Sequence, residues 1–228
     1  MISTIFVLAL ACLATAIAVP SSNIQNHASY FYKGHDLSSL LMLEQGGTIY
    51  KDTQLGNKTL PAETILGNGG MNTVRLRLWV NPPMFENQPS TYDIKYTLAL
   101  ASRFARQGFK IYLDFHFSDT WADPQKQYTP AGWPTELDPL SRKLRSYVAE
   151  TLETFHRHGI KLALVSLGNE IRHGMLWPYG QVDVDIQPFK SLVKNFTGVA
   201  TLYKAARQGV DDAVQKGTPK PLVMIRKS

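Results

Sequence analysis

The segment Val165-Ser166-Leu167-Gly168-Asn169-Glu170-Ile171 is an apolar run that ends on an amide and a carboxyl. A carboxyl at the tip of a buried strand is a candidate general acid, because its neighbours there can tune its proton affinity. The amide of Asn169 is placed to hold a substrate hydroxyl. Taken alone, the pair also reads as a helix-initiating Asn followed by an ordinary first-turn Glu. A second segment, Ser118-Asp119-Thr120-Trp121-Ala122-Asp123-Pro124, alternates acidic groups with an indole. Sugar sites need that mixture: aromatic faces cover the C–H faces of the rings, and carboxylates accept the hydroxyls. Asp119 and Trp121 are therefore candidate substrate ligands, although Asp123-Pro124 also fits a plain turn and Trp121 a packing role. Trp177-Pro178 and Trp133-Pro134 are expected to extend the aromatic surface.

Charged residues also recur on one face of two strand-like runs. Side chains alternate along a strand, so in 111–118 Ile111, Leu113, Phe115 and Phe117 share one face while Asp114, His116 and Ser118 share the other. In 73–80, Val74, Leu76 and Leu78 face one way and Arg75, Arg77 and Trp79 the other. Charge on one face of a buried parallel sheet is costly unless it lines a site. Asp114-x-His116 could offer two metal ligands, but such centres gather several more His ligands. Here His156 and His158 diverge on a helix and His27 precedes the first strand. No metal and no cofactor is expected.

These residues need a scaffold, and the chain supplies a strand-then-helix rhythm. Strands are predicted over 32–37, 73–80, 110–117, 162–167 and 221–225, with helical patterns between them. A short helix opens at Thr59-Leu60-Pro61 and stops at Gly67-Asn68-Gly69-Gly70. Ser90-x-x-Asp93 resembles a capping box ahead of Ile94, Leu98, Ala101 and Ala105, and Gly108 ends that helix. Asp138-Pro139 reads as an N-cap with proline at the first helical position, and Gly159 ends that helix. Val199, Leu202, Ala206 and Val210 give the last helix its apolar face. Such alternation argues for parallel βαβ units, closed either as a doubly wound sheet or as a barrel. The Gly-rich phosphate turn of the first alternative is missing from Gly34-His35-Asp36-Leu37-Ser38, and a barrel mouth puts the charged strand face at the catalytic end. The fold class is α/β, a partial (β/α)8 TIM barrel with about five of its eight strands present.

Residues 1–18 read as a signal peptide: an apolar run from Ile5 to Ala14, too short to span a bilayer, meets small-x-small cleavage patterns near Ala18. A secreted protein is expected, with residues 19–228 as the N-terminal part of one barrel catalytic domain. Cys12, the only cysteine of the 228 residues, lies in that leader, so the core must hold without disulfides. Asn57-Lys58-Thr59 and Asn195-Phe196-Thr197 are N-glycosylation acceptors if the producer is eukaryotic. The net charge of +6 is spread out, and clusters such as Arg226-Lys227 read as solvated faces; neither nucleic acid nor membrane is an expected partner.

Several of these segments together resemble glycoside hydrolase family 53. They are Tyr32-Lys33-Gly34-His35-Asp36-Leu37-Ser38-Ser39-Leu40, Arg75-Leu76-Arg77-Leu78-Trp79-Val80-Asn81-Pro82, 113–124, Gly168-Asn169-Glu170-Ile171, and Gly174 to Trp177-Pro178. The resemblance implies a retaining endo-β-1,4-galactanase acting on plant cell-wall galactan and type I arabinogalactan. It implies Glu170 as acid/base, Asn169 on the sugar 2-hydroxyl, and Asp36, Arg75, Arg77, Asp114, His116, Asp119, Trp121 and Trp177 around the substrate. His35 stands where the family usually has a small residue, and 223–228 departs from the usual His and acidic stretch. The nucleophilic Glu is expected on a seventh strand that these residues do not encode. A retaining mechanism needs two carboxyls about 5–5.5 Å apart, so this chain alone is expected to be inactive. Rival readings are a retaining barrel glycanase acting on mannan or glucan, and a non-catalytic sugar-binding fragment.

Overall fold

A computed structural model describes residues 30–83, 91–187 and 190–226. The expected signal peptide and Ser90 lie outside them. Strand β1 (Gly34–Asp36) leads into helix α1 (Leu40–Gln45). A small antiparallel hairpin of β2 (Lys51–Asp52) and β3 (Lys58–Thr59) precedes α2 (Ala62–Asn68). Then come β4 (Thr73–Leu78), α3 (Ile94–Arg106), β5 (Lys110–Phe115), α4 (Leu137–Arg157) and β6 (Leu162–Leu167). A second hairpin, β7 (Asp183–Gln187) with β8 (Lys190–Asn195), leads to α5 (Thr197–Gln215) and β9 (Leu222–Met224). All lie in one unit that starts at Tyr32.

Five strands form one parallel sheet in the order β1-β4-β5-β6-β9. Strand order follows chain order with a helix in each crossover, the arrangement of part of a (β/α)8 barrel. Among the described residues β1 and β9 are edges that do not pair with each other. Val74, Leu76, Leu78, Ile111, Leu113, Phe115, Val165 and Leu167 point to the helical layer and are buried with Leu100, Phe104, Leu144, Leu152, Leu202 and Val210. The register sets Arg77 level with Asp114, Asp114 with Ser166, and Ser166 with Met224 on the opposite face.

Helix starts differ from the sequence reading in detail. Asp93 is itself the N-cap of α3 and accepts from the Tyr96 N–H at 2.8 Å. α4 begins at Leu137 after Glu136, so Asp138 sits in the first turn, where its charge favours the helix dipole, rather than at the cap. Both hairpins escaped the sequence reading, which followed the long strand–helix period and passed over short local pairs.

Two contacts fix the layers. Arg103 of α3 pairs with Glu44 of α1 at 2.6 Å and with the buried Glu63 of α2 at 2.6 Å, tying the helices that flank β1. Gly209 of α5 lies against α4 so closely that an added Cβ would meet the Arg145 carbonyl oxygen and approach Val148 Cβ at 2.9 Å. Backbone does not yield there. Gly209→Ala should therefore destabilise by about 1–3 kcal/mol through overpacking, outweighing alanine's helix advantage of about 1 kcal/mol. Chemical denaturation measures it, and an unchanged or raised midpoint would contradict the close packing.

Candidate active site

Asp36 ends β1, Arg75 and Arg77 lie on the inner face of β4, and Asp114 lies on β5. His116 follows β5, and Asn169 and Glu170 follow β6. All meet at the carboxyl ends of the parallel strands. Arg75 is the hub. Its guanidinium pairs with both Asp36 and Asp114 and donates to Asn169 Oδ1 at 2.9 Å. Asp114 is fully buried and also accepts from Ser166 Oγ, which in turn accepts from the Tyr112 hydroxyl at 3.1 Å. Arg77 reaches Asp36 at 3.1 Å.

The charges move the titrations. Burial pushes the Asp36 carboxyl up, but Arg77 and Arg75, with the Ser38 N–H, outweigh it and hold the carboxyl below its ordinary value. Burial lowers Arg75 less than Asp114 and Asp36 raise it. His116 is held below the usual histidine value, first by burial and then by the two arginines, against the pull of Asp114. Its Nδ1 accepts the Ala122 N–H at 3.2 Å, which leaves the proton of the neutral ring on Nε2, 3.5 Å from Asp114 Oδ2.

Asn169 is fixed at both ends of its amide: Oδ1 accepts from Arg75, and Nδ2 donates to the Ala122 carbonyl at 2.7 Å. Glu170 has a left-handed backbone (φ 51°, ψ 44°), which costs a non-glycine residue about 1–3 kcal/mol and gathers at functional sites. Its carboxyl is 23 % exposed and lies 3.7 Å from Arg226 Nη2. The alternative of an ordinary helix-opening Glu does not fit: only a three-residue 3-10 turn follows.

Trp121, 38 % exposed, lies over Arg77 with the guanidinium carbon 4.4 Å from the ring centroid, and meets His116 edge-on at 5.5 Å. Trp177 is half-buried, its indole N–H donating to the His173 carbonyl at 2.9 Å. Two expectations change here. Both Asp119 oxygens accept backbone N–H groups, of Asn81 at 2.9 Å and Ala131 at 2.8 Å, so this carboxylate braces two loops. Trp133 is buried against Tyr147 of α4, ring centroids 5.3 Å apart, instead of extending an aromatic surface.

Three participants escaped the sequence reading. Arg226, in a basic cluster that reads as a solvated face, sits between Glu170 and Asp114, whose Oδ2 is 3.8 Å from its Nη1. Strand alternation from Met224 could have placed it on the inner face. Tyr112 and Ser166 share the face of Asp114 and follow from the same alternation.

Residues 32–226 match the sequence profile of glycosyl hydrolase family 53. The chain belongs to this family. It is 41 % identical over 194 residues to an arabinogalactan endo-β-1,4-galactanase of Thermothelomyces thermophilus, covering 85 % of this chain and 52 % of that protein. It is 40 % identical over 199 residues to arabinogalactan endo-β-1,4-galactanase A of Aspergillus niger, covering 87 % and 52 %. The chain thus spans about half the length of the curated relatives it matches. Among solved structures, a fungal β-1,4-galactanase superposes with a TM-score of 0.73 at 39 % identity over 85 % of this chain and 52 % of that one. The family 53 catalytic domain of Ignisphaera aggregans gives 0.71 at 28 % over 86 % and 50 %.

Proposed function

We propose that these residues carry the acid/base half of a retaining endo-β-1,4-galactanase acting on pectic galactan and type I arabinogalactan. The observation that carries the reading is the Asn169–Glu170 pair at the mouth of the family 53 barrel. There the amide is held by Arg75 and Ala122, and the carboxyl is left open to solvent on one side. The names of the Thermothelomyces and Aspergillus relatives support the substrate.

In this reading Asn169 holds the sugar 2-hydroxyl and Trp121 covers a ring face. Glu170 gives its proton to the glycosidic oxygen as the bond to C1 breaks. A second carboxylate, expected on the seventh strand of a complete barrel, bonds to C1. Water then displaces it while Glu170 takes the water's proton. Asp36 and Asp114 are poor substitutes for the nucleophile, since Arg75 is paired with both. Residues 19–228 alone should therefore release no reducing sugar from lupin galactan, while a complete family 53 barrel carrying residues 32–226 should, with mannan and cellulose untouched. Cleavage of mannan or cellulose would favour the rival glycanase; turnover by 19–228 alone would refute the two-carboxyl argument.

Secretion after removal of residues 1–18 belongs to the same proposal. Among the described residues no helix is long and apolar enough to cross a membrane. Asn57, exposed between β2 and β3, and Asn195, exposed before α5, suit N-glycosylation.

A further inference from the structure

Gln127 is only 1 % exposed, yet it belongs to the loop that follows β5 and carries Trp121. A buried amide is retained only where its hydrogen bonds are made. Its Nε2 donates to the Asn169 carbonyl at 2.8 Å and the Asp123 carbonyl at 3.1 Å, and approaches the Glu170 carbonyl at 3.4 Å. The main-chain carbonyl of Gln127 accepts the main-chain N–H of Trp177 at 2.6 Å. One residue thus joins the loop after β5, the tip of β6 and the loop bearing Trp177.

The backbone it grips is the strained one. Glu170 departs from strand geometry at φ 51°, and a left-handed residue persists only where its surroundings over-determine it. The Asn169 carbonyl lies past the end of β6, outside the sheet ladder, and accepts from the Gln127 amide. The Glu170 carbonyl is separately taken by the Arg172 N–H at 2.9 Å. Without the Gln127 donor, the buried Asn169 carbonyl is left without its side-chain partner, and relaxation of this peptide swings the Glu170 carboxyl.

We propose that Gln127 is a positioning residue that clamps the Asn169–Glu170 main chain in its left-handed turn and so aims the Glu170 carboxyl. The proposal rests on the reading of Glu170 as acid/base.

Two variants test it. Gln127→Met fills the same space without donors. Gln127→Glu replaces the donors with acceptors, but its carboxyl regains one O–H donor when protonated. In the 228-residue chain, the Glu170 backbone ¹³C shifts should leave their left-handed values in Gln127→Met. In a complete family 53 barrel carrying residues 32–226, Gln127→Met should lower kcat on galactan about tenfold or more with KM within about twofold. Gln127→Glu should lose more at neutral pH, and its activity relative to wild type at the same pH should recover as the pH falls. Unchanged Glu170 shifts, or a variant-to-wild-type ratio flat with pH, would reduce Gln127 to a packing role and overturn the proposal. If the shifts move while kcat holds, the clamp exists but Glu170 is not the acid/base, and the functional reading fails with the catalytic half of this one. Should Gln127→Met not fold, the pH recovery of Gln127→Glu decides alone.

Discussion

Glu170→Gln in a complete family 53 barrel carrying residues 32–226 should lower turnover of galactan by about 10²–10⁴-fold, the usual worth of a positioned general acid. The substitution keeps the size of the side chain and the backbone turn, and removes the proton that the departing sugar oxygen needs. An aryl galactoside with a good leaving group needs little protonation, so its first step should be much less affected. The second step still lacks a base to activate water, and a stopped-flow trace should show a burst of aryl alcohol followed by slow turnover. Equal loss on both substrates, with no burst, would mean that Glu170 acts in some other way. Affinity for galactotetraose should stay within a few-fold of wild type, because Asn169 keeps its partners at Arg75 and Ala122.

The second large effect is on stability. Arg75→Met should cost about 3–5 kcal/mol, the range seen when one partner of a buried ion pair is removed. The reason is Asp114: its carboxylate is fully buried, its remaining cation, Arg226, is 3.8 Å away, and His116 at 3.5 Å is held toward its neutral form. Asn169 loses its hydrogen-bond donor in the same stroke. Urea denaturation measures the loss, and Arg75→Met combined with Asp114→Asn should recover part of it, because no uncompensated charge then stays inside. A loss below about 1 kcal/mol, typical of exposed pairs, would show that Arg75 is not the hub of the site. The pH dependence has a defined sign. The Asp36 carboxyl is held below its ordinary value, so the stability it contributes is complete above the unfolded-state value of about 3.9. It is lost as pH falls below that through the folded value. Removing Arg75 should shrink this acid-side loss while leaving the part due to Arg77.

The period-2 alternation in 73–80 and 110–117 was legible because each strand buries one face against helices and turns the other inward. Val74, Leu76, Ile111 and Leu113 had to be apolar for one reason, and Arg75, Arg77 and Asp114 charged for another. The Asn169–Glu170 ending was visible for the same reason: a polar pair after a buried strand has little purpose unless it meets something. Helix stops at Gly108 and Gly159 were equally plain, since both residues take the positive φ that glycine adopts at least cost.

Other features have no local signature. Nothing in Asp123-Pro124-Gln125-Lys126-Gln127 distinguishes the buried Gln127 from the neighbouring Gln125, because burial here depends on a strand tip 42 residues away. Asp119 looked like a sugar ligand because composition cannot tell an acid that faces substrate from one that braces Asn81 and Ala131. Arg226 sat in a short basic cluster and became part of the site only when β9 paired with β6. The sequence by itself determined the strand–helix period, the inward charges and the carboxyl at the strand tip, since these follow from periodicities set by backbone geometry. Tertiary structure alone decided which polar groups are spent on one another and which are left to face a substrate, because that partition depends on distances between segments far apart in the chain.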